Sequence, residues 1–430
     1  MTATLIALLL LFLFLFLGLP IGIGMGVVGV AGFAWLIGFW PAMHMLGQTS
    51  YDTVVNYNLS VLPLFILMGH LVSQAGLSQK LFEAANAWVG HVKGGLAVAS
   101  VMACGGFSAV CGSSMATAAT MGRVVIPTMR SYGYDAGIAA GAVAAGGTLG
   151  ILIPPSVLLV VYGILTEQNI GALFAAGILP GILGIILYSA AVMVVAHFAP
   201  RKAPSGPRSN WSHRISALKG IAGVAILFLV IMGGIYGGVF TPTEAAGIGA
   251  VGAFLMALLS GNLTWKIFNE ALVDTVLTTS MMFILVIGAI TFTNFINVAG
   301  FPQAINAFLA EYRPSPMTVI LALVMVYLVL GCFLESLSMI LLTVPVFYPV
   351  VAGLGFDLVW FGIFIVILVE ISLITPPVGL NIFVLHSAFP DIKLSTIFRG
   401  VLPFVAADVV RLALVIFIPG IATLLPRLFF

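Results

Sequence analysis

Two proline pairs, Pro154-Pro155 and Pro376-Pro377, stand inside otherwise apolar stretches and lie 222 residues apart. A proline pair removes two backbone donors and drives the preceding residue out of the α region, so carbonyl oxygens just upstream are released from helical hydrogen bonds. Released carbonyls are cation ligands. Hydroxyls at Ser113, Ser114, Ser336 and Thr375 accompany them. Hard oxygen donors without a dense acidic cage suit a weakly held monovalent ion better than Ca²⁺ or Zn²⁺, and Na⁺ is the natural candidate. The half-helices starting at Pro155 and Pro377 offer free N–H groups and positive dipole ends to an anionic substrate. One pair alone reads as a kink; two pairs at a matched offset behind matched glycine-rich segments read as a site.

Ionisable residues inside apolar segments are functional by default, with interhelical pairing as the common competitor. Glu335 is the strongest candidate for an ion or gating role, its plainer role being to cap the helix that follows. Glu370, just ahead of Thr375, is expected to orient unwound backbone or to pair with a helix of the other half. Asp408 and Arg411, three residues apart, are expected to neutralise each other. Arg123 reads as a snorkelling or carbonyl-capping residue, and His70 as a packed histidine.

These residues need a membrane to hold them. The chain has 430 residues, of which 62% are hydrophobic and only 7% charged, and its mean hydropathy is +1.24. Soluble domains carry roughly 25% charged residues, so a soluble globular protein is excluded. At about 20 apolar residues per span, and after setting aside glycine-rich and interfacial stretches, about ten or eleven spans are expected. A net charge of +2, with no basic stripe, excludes nucleic-acid binding. Cys104, Cys111 and Cys332 show no metal-ligand spacing and read as small packing residues. The Leu/Phe run from Met1 to Leu17 lacks a basic n-region and a cleavage site, so it reads as a retained helix.

The chain also repeats itself. Gly133-Tyr134-Asp135 matches Gly355-Phe356-Asp357, Pro127 matches Pro349 and Ser114 matches Ser336, all at the 222-residue offset of the proline pairs; Gly177-Ile178-Leu179-Pro180 matches Gly400-Val401-Leu402-Pro403 at 223. The expected organisation is a first repeat over residues 1–198, with a hairpin at 94–130 and a broken helix at 135–166. A cytoplasmic linker over 199–214 follows, then a second repeat over 215–430 with a hairpin at 315–352 and a broken helix at 357–388. Five spans per half would insert the second copy upside down, the inverted-repeat arrangement of secondary transporters. With the linker cytoplasmic, eleven Lys and Arg residues fall inside, while Arg313 and Arg427 alone fall outside, as the positive-inside rule requires; both termini are then periplasmic. The hairpins are read as re-entrant, with tips at Cys111 to Ser114 and Cys332 to Ser336, because non-helical backbone at membrane depth must be covered by protein or a wet cavity. Amphipathic stretches near 77–91 and 300–313 are expected to act as interfacial arms.

The chain resembles the large membrane subunit, of DctM type, of tripartite ATP-independent periplasmic (TRAP) transporters. The resemblance is carried by Pro63 to Gly69, Gly112 to Ala119, Leu149 to Ser156, Gly331 to Glu335 and Thr375 to Asn381. It implies an all-α polytopic permease working by an elevator motion in a bacterial or archaeal inner membrane. It also implies Na⁺-coupled uptake of an organic acid, with two or more ions. The implied partners are a periplasmic binding protein of DctP type and a four-helix membrane subunit of DctQ type. Carried over by motif, one Na⁺ site involves Cys111 and Ser113 with carbonyls near Gly150, Ile153 and Pro155; a second involves Gly331, Glu335 and Thr375. The substrate is placed between the tips near Ser114, Ser156, Gly379 and Asn381. Thr117 stands where some members carry Asp, and Asn294 where an Arg can face the cavity, which weakens a bidentate carboxylate clamp.

A membrane-embedded enzyme would need a metal cluster, a nucleophile–base set or paired catalytic carboxylates in a shared segment, and none is present in the sequence. A channel would ordinarily gain its axis from oligomeric symmetry, whereas this chain carries two unlike tips. The competing reading within the same architecture is a standalone Na⁺- or H⁺-coupled carboxylate carrier.

Overall fold

The computed structural model describes residues 2–261 and 263–430, and these form helices with no strand among them. The first half runs through α1 (Thr2–Phe16), α2 (Ile21–Ile37), α3 (Phe39–Val55), α4 (Val61–Gln74) and the arm α5 (Leu77–Val89). A hairpin of α6 (Gly95–Cys111) and α7 (Ser114–Ser131) precedes α8 (Ala136–Thr148), α9 (Val157–Thr166) and the long α10 (Ile170–Phe198). The second half has α11 (Trp211–Tyr236), α12 (Pro242–Leu259), α13 (Trp265–Val298) and the arm α14 (Phe301–Tyr312). Its hairpin, α15 (Pro316–Leu330) and α16 (Ser336–Gly353), precedes α17 (Leu358–Ile374), α18 (Leu380–Ala388), α19 (Leu394–Phe417) and α20 (Gly420–Phe429).

Helix starts fall at equivalent places in the two halves because equivalent residues cap them. Asp135 accepts from the amides of Gly137 and Ile138 at 3.0 and 3.2 Å, and Asp357, 222 residues on, accepts from Val359 and Trp360 at 2.8 and 3.2 Å. Ser113 caps α7 through the Ala116 amide, and Glu335, at the same offset, caps α16 through the Ser338 amide. Each cap satisfies amides that a helix start leaves without partners.

Among the described residues six helices are long and apolar enough to cross a membrane, α10, α11, α12, α13, α16 and α19, and the bent pair of α3 with the segment Tyr57–Gln74 makes a seventh if it is one span. This is fewer than the ten or eleven spans expected from composition. The remaining apolar sequence lies mostly in helices of 10–17 residues, among them α6, α8 with its 3-10 extension, α9, α15 and α17, which are shortened by the hairpin turns and the proline breaks. The 199–214 stretch also contains the first turn of α11. Arg214 there is buried, donates from Nε to the Ala87 carbonyl at 3.1 Å, and lies against the rings of Trp88 and Trp211 at 5.7 and 5.2 Å from their centroids. It therefore ties the arm α5 to α11 by the hydrogen bond to Ala87 and the cation–π contact with Trp88, the Trp211 contact lying within α11 itself.

Packing divides into a frame and a core. In the frame α2 lies along α13 and α4 along α12, with glycines allowing the backbones to approach. A Cβ on Gly288 would sit 2.0 Å from the Gly22 carbonyl oxygen, and one on Gly29 would sit 2.8 Å from Phe292 Cα. In the core the contacts are reciprocal: α9 packs on α16 as α18 packs on α7, and α8 packs on α19 as α10 packs on α17. Small residues drive such contacts in membranes, where apolar burial between helices gains little over lipid.

Gly288→Val should separate α2 from α13 and cost about 1–3 kcal/mol as an overpacking change, read as a lower melting temperature in detergent. Gly247, whose Cβ would meet nothing within 4 Å, provides the contrast: Gly247→Ala should melt at or slightly above the wild type.

Candidate ion and substrate site

The first hairpin tip closes onto the first helix break. α6 ends where Gly112 adopts φ 65°, a left-handed conformation that glycine takes without strain. A Cβ there would lie 2.8 Å from the Pro155 carbonyl oxygen. Across the contact, α8 tightens into a 3-10 turn at Leu149–Ile151 and the chain passes a cis Pro154-Pro155 bond before Ser156 caps α9. A Cβ on Gly150 would lie 2.8 Å from the Ser113 carbonyl oxygen and 3.1 Å from Thr117 Oγ1. Two glycines thus bring Cys111, Ser113, Thr117, Gly150 and Pro155 together. Thr117 Oγ1 is buried there beside the Cys111 thiol. The Ile153 side chain turns toward Gly105 and Gly181, which leaves only its backbone carbonyl to the junction.

The second tip meets the second break less symmetrically. α17 ends in extended Thr375, followed by a cis Pro376-Pro377 bond and by Gly379 at φ 63°. A Cβ on Gly331 would lie 2.2 Å from Ser372 Cβ. Glu335 accepts from the Ser338 amide at 2.8 Å and from its hydroxyl at 2.7 Å. A cavity of about 250 Å³ is walled by Gly331, Glu335, Ser338, Ser372 and Gly379. Thr375 is not on that wall; its hydroxyl donates back to the Ile371 carbonyl at 2.9 Å.

Both tips open onto one central cavity of about 400 Å³, bordered by Ser113, Ser114, Glu335 and Ser336 and, from the frame, by His70 and Thr278. Among its described lining residues there is no Lys or Arg. The starts of α7 and α16, capped by Ser113 and Glu335, face it, and a helix start carries partial positive charge. Ser156 and Asn381 are fully buried outside this cavity: Ser156 donates to the Ile151 carbonyl, and Asn381 Nδ2 donates to the Ala144 carbonyl of α8 at 3.1 Å. Asn294 lies elsewhere, in a cavity of about 570 Å³ with Asp52, Asn297 and Tyr348.

Glu370 pairs with Arg411 of its own half, and Arg411 also pairs with Asp408 at 2.6 Å, all three fully buried. The i,i+3 spacing signals the Asp408 contact; nothing local in the sequence signals the one to Glu370. Arg123 is exposed.

Helix breaks opposed to hairpin tips around a central cavity define a multi-pass membrane transporter. A family model described as the tripartite ATP-independent periplasmic transporter, DctM component, matches residues 8–421, and the chain belongs to this family: it is a large permease subunit of a TRAP transporter. It is 38% identical to the C4-dicarboxylate TRAP transporter large permease protein DctM of Pseudomonas aeruginosa, over 93% of each chain. It is 36% identical to the sialic acid TRAP transporter large permease protein SiaM of Vibrio cholerae, over 90% of this chain and 89% of that one. The fold resembles that of the Alcanivorax borkumensis YdaH transporter, described as having an unusual topology, with a TM-score of 0.62, 16% identity and coverage of 90% and 88% of the two chains.

Because the Glu335 carboxylate acts as a cap, Glu335→Gln, which retains an acceptor oxygen, should melt close to the wild type in Na⁺-free buffer. Glu335→Ala should lose about 1 kcal/mol of helix-start stabilisation, visible as a lower melting temperature under the same conditions.

Proposed function

We propose that this subunit imports an organic acid, delivered by a periplasmic binding protein of DctP type, by Na⁺-coupled elevator transport across a bacterial or archaeal inner membrane. A small membrane subunit of DctQ type holds the frame in place. The observation that carries the reading is the first junction. The Ser113 carbonyl oxygen and the buried Thr117 hydroxyl lie against Gly150, and the Pro155 carbonyl oxygen lies against Gly112 at the adjoining tip, neutral hard oxygens of the kind that suit a weakly held Na⁺. Gly331 and Glu335, with Ser338 and Ser372, would form the second site. A bound cation at either tip adds positive potential beside the helix starts of α7 and α16, so the ions and an anionic substrate favour one another across the central cavity. Two relatives are named for C4-dicarboxylate and sialic acid transport, both carboxylates, which supports an organic acid as cargo.

The two readouts separate ion binding from motion. Replacing choline chloride with NaCl at constant ionic strength should raise the melting temperature in a concentration-dependent way, whereas KCl should leave it unchanged. Thr117→Val, nearly isosteric, should reduce the Na⁺ response, and equal melting of the wild type in all three salts would count against Na⁺ binding.

The elevator component rests on the arms α5 and α14, which connect frame and core along the chain. A Cβ on Gly220 would lie 3.9 Å from Lys80 Cβ, within disulfide range. Oxidised Lys80→Cys/Gly220→Cys should therefore lock α5 to α11. Transport by the reconstituted complex is expected to fall by about tenfold or more, as for a gating step that has been blocked, and to recover on reduction, with Na⁺-dependent melting retained. Unchanged transport in the fully oxidised pair would argue against a moving arm.

A further inference from the structure

A polar cluster absorbed by neither ion site lies in the core, where α8, α10, α17 and α19 meet. Thr148, Tyr188, Glu370, Asp408 and Arg411 are all fully buried. The Arg411 guanidinium donates from Nη2 both to Asp408 and to Glu370. The Tyr188 hydroxyl lies 2.8 and 2.7 Å from the two Asp408 oxygens and 3.2 Å from Thr148 Oγ1.

The cluster follows the repeat. Thr148 and Glu370 are 222 residues apart and Tyr188 and Arg411 are 223 apart, the offsets of the proline pairs and of the Gly-x-Leu-Pro segments. The Thr148–Tyr188 and Glu370–Arg411 contacts are therefore equivalent contacts in the two halves, and Asp408 joins them. Each ends beside a helix break. Thr148 is the last residue of α8 before the turn that contains Gly150. Glu370 is one turn ahead of Thr375, and between them Ser372 packs against Gly331 of the second tip.

The bonding is incomplete. Glu370 Oε1, Arg411 Nε and Arg411 Nη1 make no hydrogen bond to protein, and two carboxylates share one guanidinium. A planar fork with spare donors beside a carboxylate with a spare oxygen has a second arrangement within reach, a bidentate pair with Glu370 that loosens its hold on Asp408. A cluster that can exchange one such arrangement for another, with one end beside each break, is what energetic coupling between two sites requires.

We propose that Thr148, Tyr188, Asp408, Arg411 and Glu370 are positioning residues that couple the two hairpin-tip sites, so that Na⁺ at one tip raises the affinity for Na⁺ at the other. This rests on the Na⁺ reading above. Coupling of this kind is reciprocal and appears as steepness in equilibrium binding.

Binding of radiolabelled Na⁺ to the purified wild-type subunit, in choline chloride at constant ionic strength, is the test. The wild-type curve should be sigmoidal, with a Hill coefficient of about 2 that falls to about 1 in Thr148→Ala. Thr148→Ala removes one hydroxyl and no charge, so its melting in choline should stay near that of the wild type; Thr148→Ser should restore the steepness. Arg411→Lys keeps the charge, loses the fork, and should flatten the curve in the same way. Wild-type steepness in Thr148→Ala would overturn the coupling, as would a wild-type coefficient of about 1. A wild type that binds no Na⁺ would instead remove the underlying Na⁺ reading.

Discussion

A bilayer interior offers no water to an unbonded backbone group, and this one constraint organises the molecule. A helix break exposes amides and carbonyls that hydrocarbon cannot satisfy, so each break must be covered by protein. The hairpin tips do the covering. Gly112 lies against the Pro155 carbonyl and Gly150 against the Ser113 carbonyl because a side chain at either glycine would hold tip and break apart. At the second break Gly331 closes in the same way on Ser372. The reciprocal packing of α9 on α16 and of α18 on α7 follows, since each half-helix beyond a break leans on the hairpin of the other half.

Charge is distributed accordingly. The central cavity carries hydroxyls, helix starts, His70 and Glu335, with no Lys or Arg among its described lining residues, so its polarity comes from the backbone that the breaks and tips expose. The buried ion pairs are gathered in the Glu370–Arg411–Asp408 cluster, where removing one partner would leave another buried and uncompensated. The interfacial cations work differently: Arg130 meets Asp391 at 2.6 Å with both side chains about half exposed, a contact worth at most about 1 kcal/mol, while Arg214 gains from two indole rings.

The sequence by itself determined the membrane class, the proline breaks, the glycine-rich tips and the cap at Glu335. All of these are local: a proline removes its own donor wherever it stands, and a capping side chain reaches amides two or three residues away. The repeat was legible for the same reason, because Asp135 and Asp357, or the two proline pairs, mark equivalent positions without reference to neighbours. Span number was less legible, since composition counts apolar residues and says nothing of how short helices share a bilayer.

Only the tertiary structure decided which oxygens meet. Thr117 gained its place beside Gly150 through the approach of α7 to α8, and Asn381 its partner at Ala144 through packing between the halves. Asn294 was set apart from the tips by the course of α13. Glu370 found Arg411 across 41 residues, a pairing that no periodicity announces. Local chemistry is carried by one residue and its near neighbours in the chain, whereas a site is carried by distances between segments, and those exist only once the helices have packed.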